Sequence, residues 1–168
     1  MEPEDLTRCF PIEPIPPCNT EALSDSFGAD VEDDLAILRG RKWNEIVPEE
    51  FRFHFEVMFR LRPEAFRYYL PAVIQCSLKE LTDQGSLKNT ELVVDYTLSL
   101  LVDSDNAQLA KRRSNLWKCF SNDQLNIISQ WVVKLDEYPD SLPYDQSVIL
   151  KAIENRRQKG ARNNSRGN

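Results

Sequence analysis

The stretch from Phe59 to Leu78, FRLRPEAFRYYLPAVIQCSL, decides how this chain folds. Proline suits the first position of a helix, where its missing N–H would have no partner anyway, so Pro63 reads as a helix start. From there Phe66, Leu70, Val73, Ile74, Leu78 and Leu81 recur at helical spacing. Pro71 falls inside that pattern. An interior proline removes one backbone hydrogen bond and crowds the carbonyl four residues earlier, at a cost of about 3 kcal/mol unless the helix bends or breaks. The expectation is therefore a kink or break near Tyr68–Leu70, with the freed Arg67 carbonyl seeking another donor.

Two readings of the polar residues in this stretch follow. In the first, Glu64, Arg67 and Tyr68, with Tyr69, form a recognition patch, since arginine and tyrosine are enriched at binding hot spots. In the second, which we prefer on sequence, Tyr69 is buried beside Phe66 and Leu70 and Arg67 pairs with a nearby carboxylate.

Helical signals continue on both sides. Upstream, Asn19 or Thr20 can cap a short helix ending near Gly28. Asp30 can cap another, with Glu32, Asp33 and Asp34 in its first turn, where carboxylates favour the positive end of the helix dipole. Gly40 supplies a stop, Trp43 and Ile46 anchor a connector, and Pro48 opens a helix carrying Phe51, Phe55, Met58 and Phe59 on one face. On another face of that helix Arg52, Glu56 and Arg60 form a ladder at i,i+4 spacing. Downstream, TDQGSLKNT reads as a loop centred on Gly85, and Thr90–Val102 as an apolar helix. Ser121 and Gln124 have capping-box spacing, Phe120 and Leu125 staple spacing, and Leu125, Ile128, Trp131, Val132 and Leu135 follow as one stripe. A last helix spans about Tyr144 to Gln158. No strand-period run is visible, which makes the chain all-α: a compact single-domain bundle of about six to seven helices with a Pro-kinked central helix.

Length and composition set the frame. A chain of 168 residues with 41% hydrophobic and 29% charged residues is enough for one domain with a real core. The division expected is a Pro-rich extended arm over 1–18, a helical domain over 19–155 and a basic, disordered tail over 156–168. The arm holds five prolines, and its apolar Phe10, Ile12 and Ile15 would let it lie across the domain. No apolar run approaches the ~18 residues of a membrane span. With an acidic N-terminus and no apolar leader, a cytoplasmic protein is the expectation.

Little here points to chemistry. The four cysteines Cys9, Cys18, Cys76 and Cys119 lack C-x-x-C spacing, and His54 is the only histidine, so neither a metal site nor a cofactor is expected. His54 sits between two phenylalanines and reads as a helix-surface or core residue. Asp33 and Asp34 are adjacent and would point about 100° apart on a helix, which separates them as a catalytic pair. Phosphate-loop, dinucleotide and zinc-protease motifs are all missing. A binding role is therefore preferred to an enzymatic one.

Charge is unevenly placed. Residues 1–50 hold 13 acids against 4 bases, a net of -9, whereas residues 156–168 hold five bases and no acid. An overall charge of -6 argues against nucleic acid as partner, because such binding neutralises phosphates. Lys111–Arg113 and the tail are the basic exceptions. The acidic half, with Glu32, Asp33 and Asp34 at its centre, suits a partner protein with a basic surface, as an adaptor or toxin-neutralising protein would meet. The alternatives are an enzyme built around Glu64, Arg67 and Tyr68, and weak nucleic-acid binding through the basic segments.

The segment Leu61–Ala72, LRPEAFRYYLPA, resembles the signature of a family of small uncharacterised bacterial proteins, a domain of unknown function whose members read roughly LTPEAFRYYLPA. The Asp33-Asp34 pair, Trp43 and the later FSNDQLNIISQWVVKL fit the same family, over about residues 20–155. Arg62 stands where threonine is expected, and arginine caps a helix less well. The resemblance implies a helical domain and lends no chemistry.

Overall fold

The computed structural model describes residues 3–16, 31–102, 105–138 and 145–164. Regular structure among these residues is helical: α1 (Pro3–Cys9), α2 (Val31–Ala36), a 3-10 turn (Trp43–Glu45), α3 (Pro48–Phe51), α4 (Val57–Arg60), α5 (Pro63–Gln84), α6 (Glu91–Leu101), α7 (Ala107–Trp117), α8 (Asn122–Asp136) and α9 (Gln146–Asn164). The expected caps at Asn19, Thr20 and Asp30, the helix ending near Gly28, and Cys18 lie outside the described residues, as does Tyr144, the expected start of the last helix.

Helix α5 is the centre of the bundle and packs against the 3-10 turn and against α6, α7 and α8. Its 22 residues run unbroken through Pro71, so the break anticipated near Tyr68–Leu70 does not occur. Burial explains this. Tyr69 through Ile74 are enclosed without interruption, and the apolar area removed from water offsets the one backbone bond that proline forfeits. Tyr69 does not rescue the Arg67 carbonyl. Its hydroxyl reaches out of α5 to the carbonyls of Leu38 and Arg41, at 2.8 and 3.1 Å, and ties the 3-10 region to the helix. Arg62, at the N-cap, makes no side-chain capping bond, as an arginine there should not.

The helix expected from Pro48 past Phe59 is instead two single turns, α3 and α4, separated by Arg52–Glu56. In one continuous helix Val57 would sit about 120° around the axis from Phe51. The interruption lets Phe51, Val57 and Met58 all enter the core, and it leaves Phe53 outside. Arg60 still pairs with Glu56 at 2.9 Å, but Arg52 lies over the ring of Phe53 and the ladder stops there.

Both termini depart from expectation in the same direction. The arm begins as a helix, because Leu6 and Phe10 are four residues apart and bury one stripe while α1 packs on α8. Beyond Phe10 the prolines keep it non-helical. The basic tail, expected to be disordered from residue 156, continues α9 to Asn164. Arg156 lies over the Trp117 ring at 5.9 Å, and Arg157 donates to the Ser129 hydroxyl at 3.0 Å, which fastens that helix to the domain.

The start of α8 follows its sequence closely. The Ser121 side chain accepts from the Gln124 amide at 3.2 Å, and the Gln124 side chain accepts from the Ser121 amide at 3.0 Å. Ser121→Ala is expected to cost about 1 kcal/mol, measured as a lowered urea midpoint with unchanged slope. In the same helix Trp131 is fully buried and donates its indole N–H to Ser77, at 3.0 Å, which itself donates to the Ile74 carbonyl.

Candidate functional site

The six residues singled out on sequence fall in two places. Glu32, Asp33 and Asp34 lie in α2. Asp33 is exposed, whereas Asp34 turns inward: one oxygen meets Arg60 Nε at 2.7 Å and the other lies 3.3 Å from His54 Nδ1. Asp34 is thus used inside the fold, holding α2 against α4 and against the irregular segment between α3 and α4. One residue before His54 stands Phe53, with 73% of its surface in solvent. Phe55, one residue after, faces inward and packs on Tyr96 with ring centroids 5.4 Å apart. The lone histidine therefore marks the junction of an acidic helix with an exposed aromatic.

The second place is a cleft of about 210 Å³ between the N-terminal arm and the start of α5. Phe10, Pro11, Glu13, Pro14 and Pro16 form one wall; Glu64, Arg67 and Tyr68 of α5 and Gln124 of α8 form the other. The arm is held there by side chains that hydrogen-bond its backbone. The Tyr68 hydroxyl donates to the Ile12 carbonyl at 2.6 Å, and Gln124 Nε2 donates to the Cys9 carbonyl at 2.9 Å. Glu13 adds an ion pair to Lys42 at 3.0 Å. Proline-rich backbone has few donors of its own, so recognition through its carbonyls is the available mode.

Among the described residues Arg67 pairs with no carboxylate. It donates to the Cys119 carbonyl at 3.2 Å, just past the C-terminal end of α7, where a cation is favoured. Glu64, three residues away on the same helix, has no hydrogen-bond or ion-pair partner among the described residues. The cleft thus collects the three α5 residues read from sequence, and neither Asp33 nor Asp34 lines it.

Its lining combines a carboxylate, a guanidinium and a phenol with apolar proline and phenylalanine. Nucleophilic catalysis needs a nucleophile beside a base, and the lining holds neither cysteine nor histidine. Burial, helped by the Glu64 charge, pushes the neighbouring Cys119 thiol up to about 11, and burial pushes Cys76 up to about 12, so both stay protonated at neutral pH. Among the described residues no three His, Cys, Asp or Glu side chains gather as a metal would require. The KRR segment is not displayed as a patch either. Lys111 is exposed, but Arg112 lies over the Phe59 ring at 4.6 Å and donates to the Leu61 carbonyl, and Arg113 is half-buried.

Sequence reasoning missed Glu80, a buried carboxylate that organises the 88–90 turn, and Gln124's second task of holding the arm. A glutamate inside an amphipathic helix carries no local mark of burial. The capping box identified Gln124 without revealing its distant partner.

Helix packing about a buried proline-containing helix, with an N-terminal arm folded back over it, defines an all-α protein with a small cleft between arm and helix. Among the described residues no helix is long and apolar enough to cross a membrane. Residues 18–158 match a family of unknown function, DUF6714, and the chain belongs to that family. Comparison with curated proteins and with solved structures gives no match.

Proposed function

We propose that this is a cytoplasmic protein–protein interaction module whose binding face joins the acids of α2 to Phe53. The observation that carries the reading is Phe53 itself, a phenylalanine left 73% exposed on a segment where its neighbours Phe51 and Phe55 pack inward. Leaving such a ring in water forgoes about 2 kcal/mol of burial. A partner pocket that receives it would recover that energy. Asp33 lies next to Asp34, and Asp34 contacts His54, so acid and aromatic sit on neighbouring segments. The partner that fits is a protein with a basic rim around an apolar pocket: charge would speed encounter, and the ring would set the lifetime of the complex. The free thiols of Cys9, Cys76 and Cys119 fit a reducing compartment.

The test is a pull-down of the tagged chain from its native extract at low and high salt, followed by affinity measurements on the captured protein. Phe53→Ala is expected to weaken the complex about tenfold or more. Reversing Glu32 and Asp33 to lysine is expected to slow association and abolish its salt dependence. A complex indifferent to both changes would sink the reading.

A further inference from the structure

We infer that the cleft between the arm and α5 binds a free apolar α-amino acid, with its carboxylate on Arg67, its ammonium on Glu64 and its side chain against Pro11, Pro14 and Tyr68. The size comes first. At about 210 Å³ the cleft lies below the roughly 300–1,000 Å³ of sites that take drug-sized ligands. The occupant is therefore small, and most of the lining (Phe10, three prolines and Tyr68) asks that its body be apolar.

The charges set its ends. Glu64 and Arg67 are three apart in α5, spacing that places their Cβ atoms about 5–6 Å from each other on one face. Such pairs ordinarily close on themselves. Here Arg67 is drawn to the Cys119 carbonyl, which occupies one of its five N–H donors and leaves Glu64 without a partner among the described residues. An anion acceptor and a cation acceptor thus stand side by side above an apolar wall. A zwitterion satisfies both at once, whereas a simple cation or anion leaves one of them facing water alone. The other polar groups of the lining have partners: Glu13 is held by Lys42, the Tyr68 hydroxyl by Ile12, and Gln124 by Cys9 and Ser121. The site is independent of the Phe53 face and stands whether or not that face binds a partner.

The experiment is isothermal titration of the full chain with L-phenylalanine and L-leucine, repeated with N-acetyl-L-phenylalanine and L-phenylalanine amide. Saturable one-to-one binding is expected for at least one free amino acid. Blocking either end should weaken it by about tenfold or more, the scale of a lost charged hydrogen bond. Arg67→Gln should reproduce the loss seen with the amide, and Glu64→Gln the loss seen with the N-acetyl compound. Both residues are exposed, so the urea midpoints of the two variants should match that of the parent. Absence of saturable binding overturns the inference. So does binding that survives the blocked ends or both substitutions, since the ligand would then sit elsewhere.

Discussion

Replacing Glu80 with glutamine is expected to lower the stability of the protein by about 3 kcal/mol, because a buried anion then ceases to hold a turn together. Glu80 is 2% exposed. Its carboxylate accepts from the amides of Lys88, Asn89 and Thr90, at 3.0–3.1 Å, and from the Asn89 side-chain amide and the Thr90 hydroxyl, at 2.7 Å each. These donors line the entry to α6, so the glutamate acts as a cap supplied from another helix. Glutamine offers a single acceptor oxygen and presents an NH₂ to donors, which leaves several of these donors, the buried Thr90 among them, short of partners.

Acid should act in the same direction in the parent protein. Burial raises the affinity of Glu80 for a proton, but the bonds from the Thr90 hydroxyl and from the amides of Lys88, Asn89 and Thr90 outweigh it and hold the group below its usual 4.5. A carboxylate with a depressed folded-state value contributes stability that is fully present above its unfolded value and is lost as pH falls through the folded one. Urea midpoints of the parent should therefore decline below about pH 4.5, and the decline should be shallower in Glu80→Gln. Parallel pH profiles would refute the assignment.

Phe10→Ala is expected to cost about 3 kcal/mol, near the lower end for a buried phenylalanine, because the arm can move to close part of the space. Phe10 is 1% exposed, and with Leu6 it forms the apolar anchor of the whole arm. Once that anchor is gone, the bonds from Gln124 to Cys9 and from Tyr68 to Ile12 are too few to hold a chain that gains backbone entropy on release. Limited proteolysis should then cut within residues 1–18 before any other site, and the cleft should lose its apolar wall and with it the amino-acid binding we infer. Unchanged protease resistance together with unchanged stability would mean that the arm contributes nothing to the fold.

The two predictions mark where a linear reading succeeds and where it stops. Local chemistry was legible wherever a signal lies within about one helical turn of its effect. The Ser121–Gln124 capping box, the stripe through Trp131 and the start at Pro63 all appear as read, because capping and amphipathic spacing are properties of neighbouring residues. So does the burial of Tyr69. The loop read as TDQGSLKNT begins three residues later than expected, since α5 persists to Gln84, a boundary error of the usual kind.

Tertiary contacts decided the rest. The helix through Pro71 stays unbroken because its neighbours bury it, and the helix after Pro48 breaks because Phe51, Val57 and Met58 cannot all reach the core along one straight axis. Whether the arm coils, whether the basic end of α9 stays ordered, and which partner meets Glu80 or Arg67 depend on residues 8 to 115 positions away along the chain. By itself the sequence determined an all-α chain and nominated Glu64, Arg67 and Tyr68. Only the packed structure brought the arm over those three residues and made a cleft. The physical reason is range: hydrogen-bond caps and helical periodicity act between neighbours, whereas burial and ion pairing are settled by whichever surfaces the folded chain brings together.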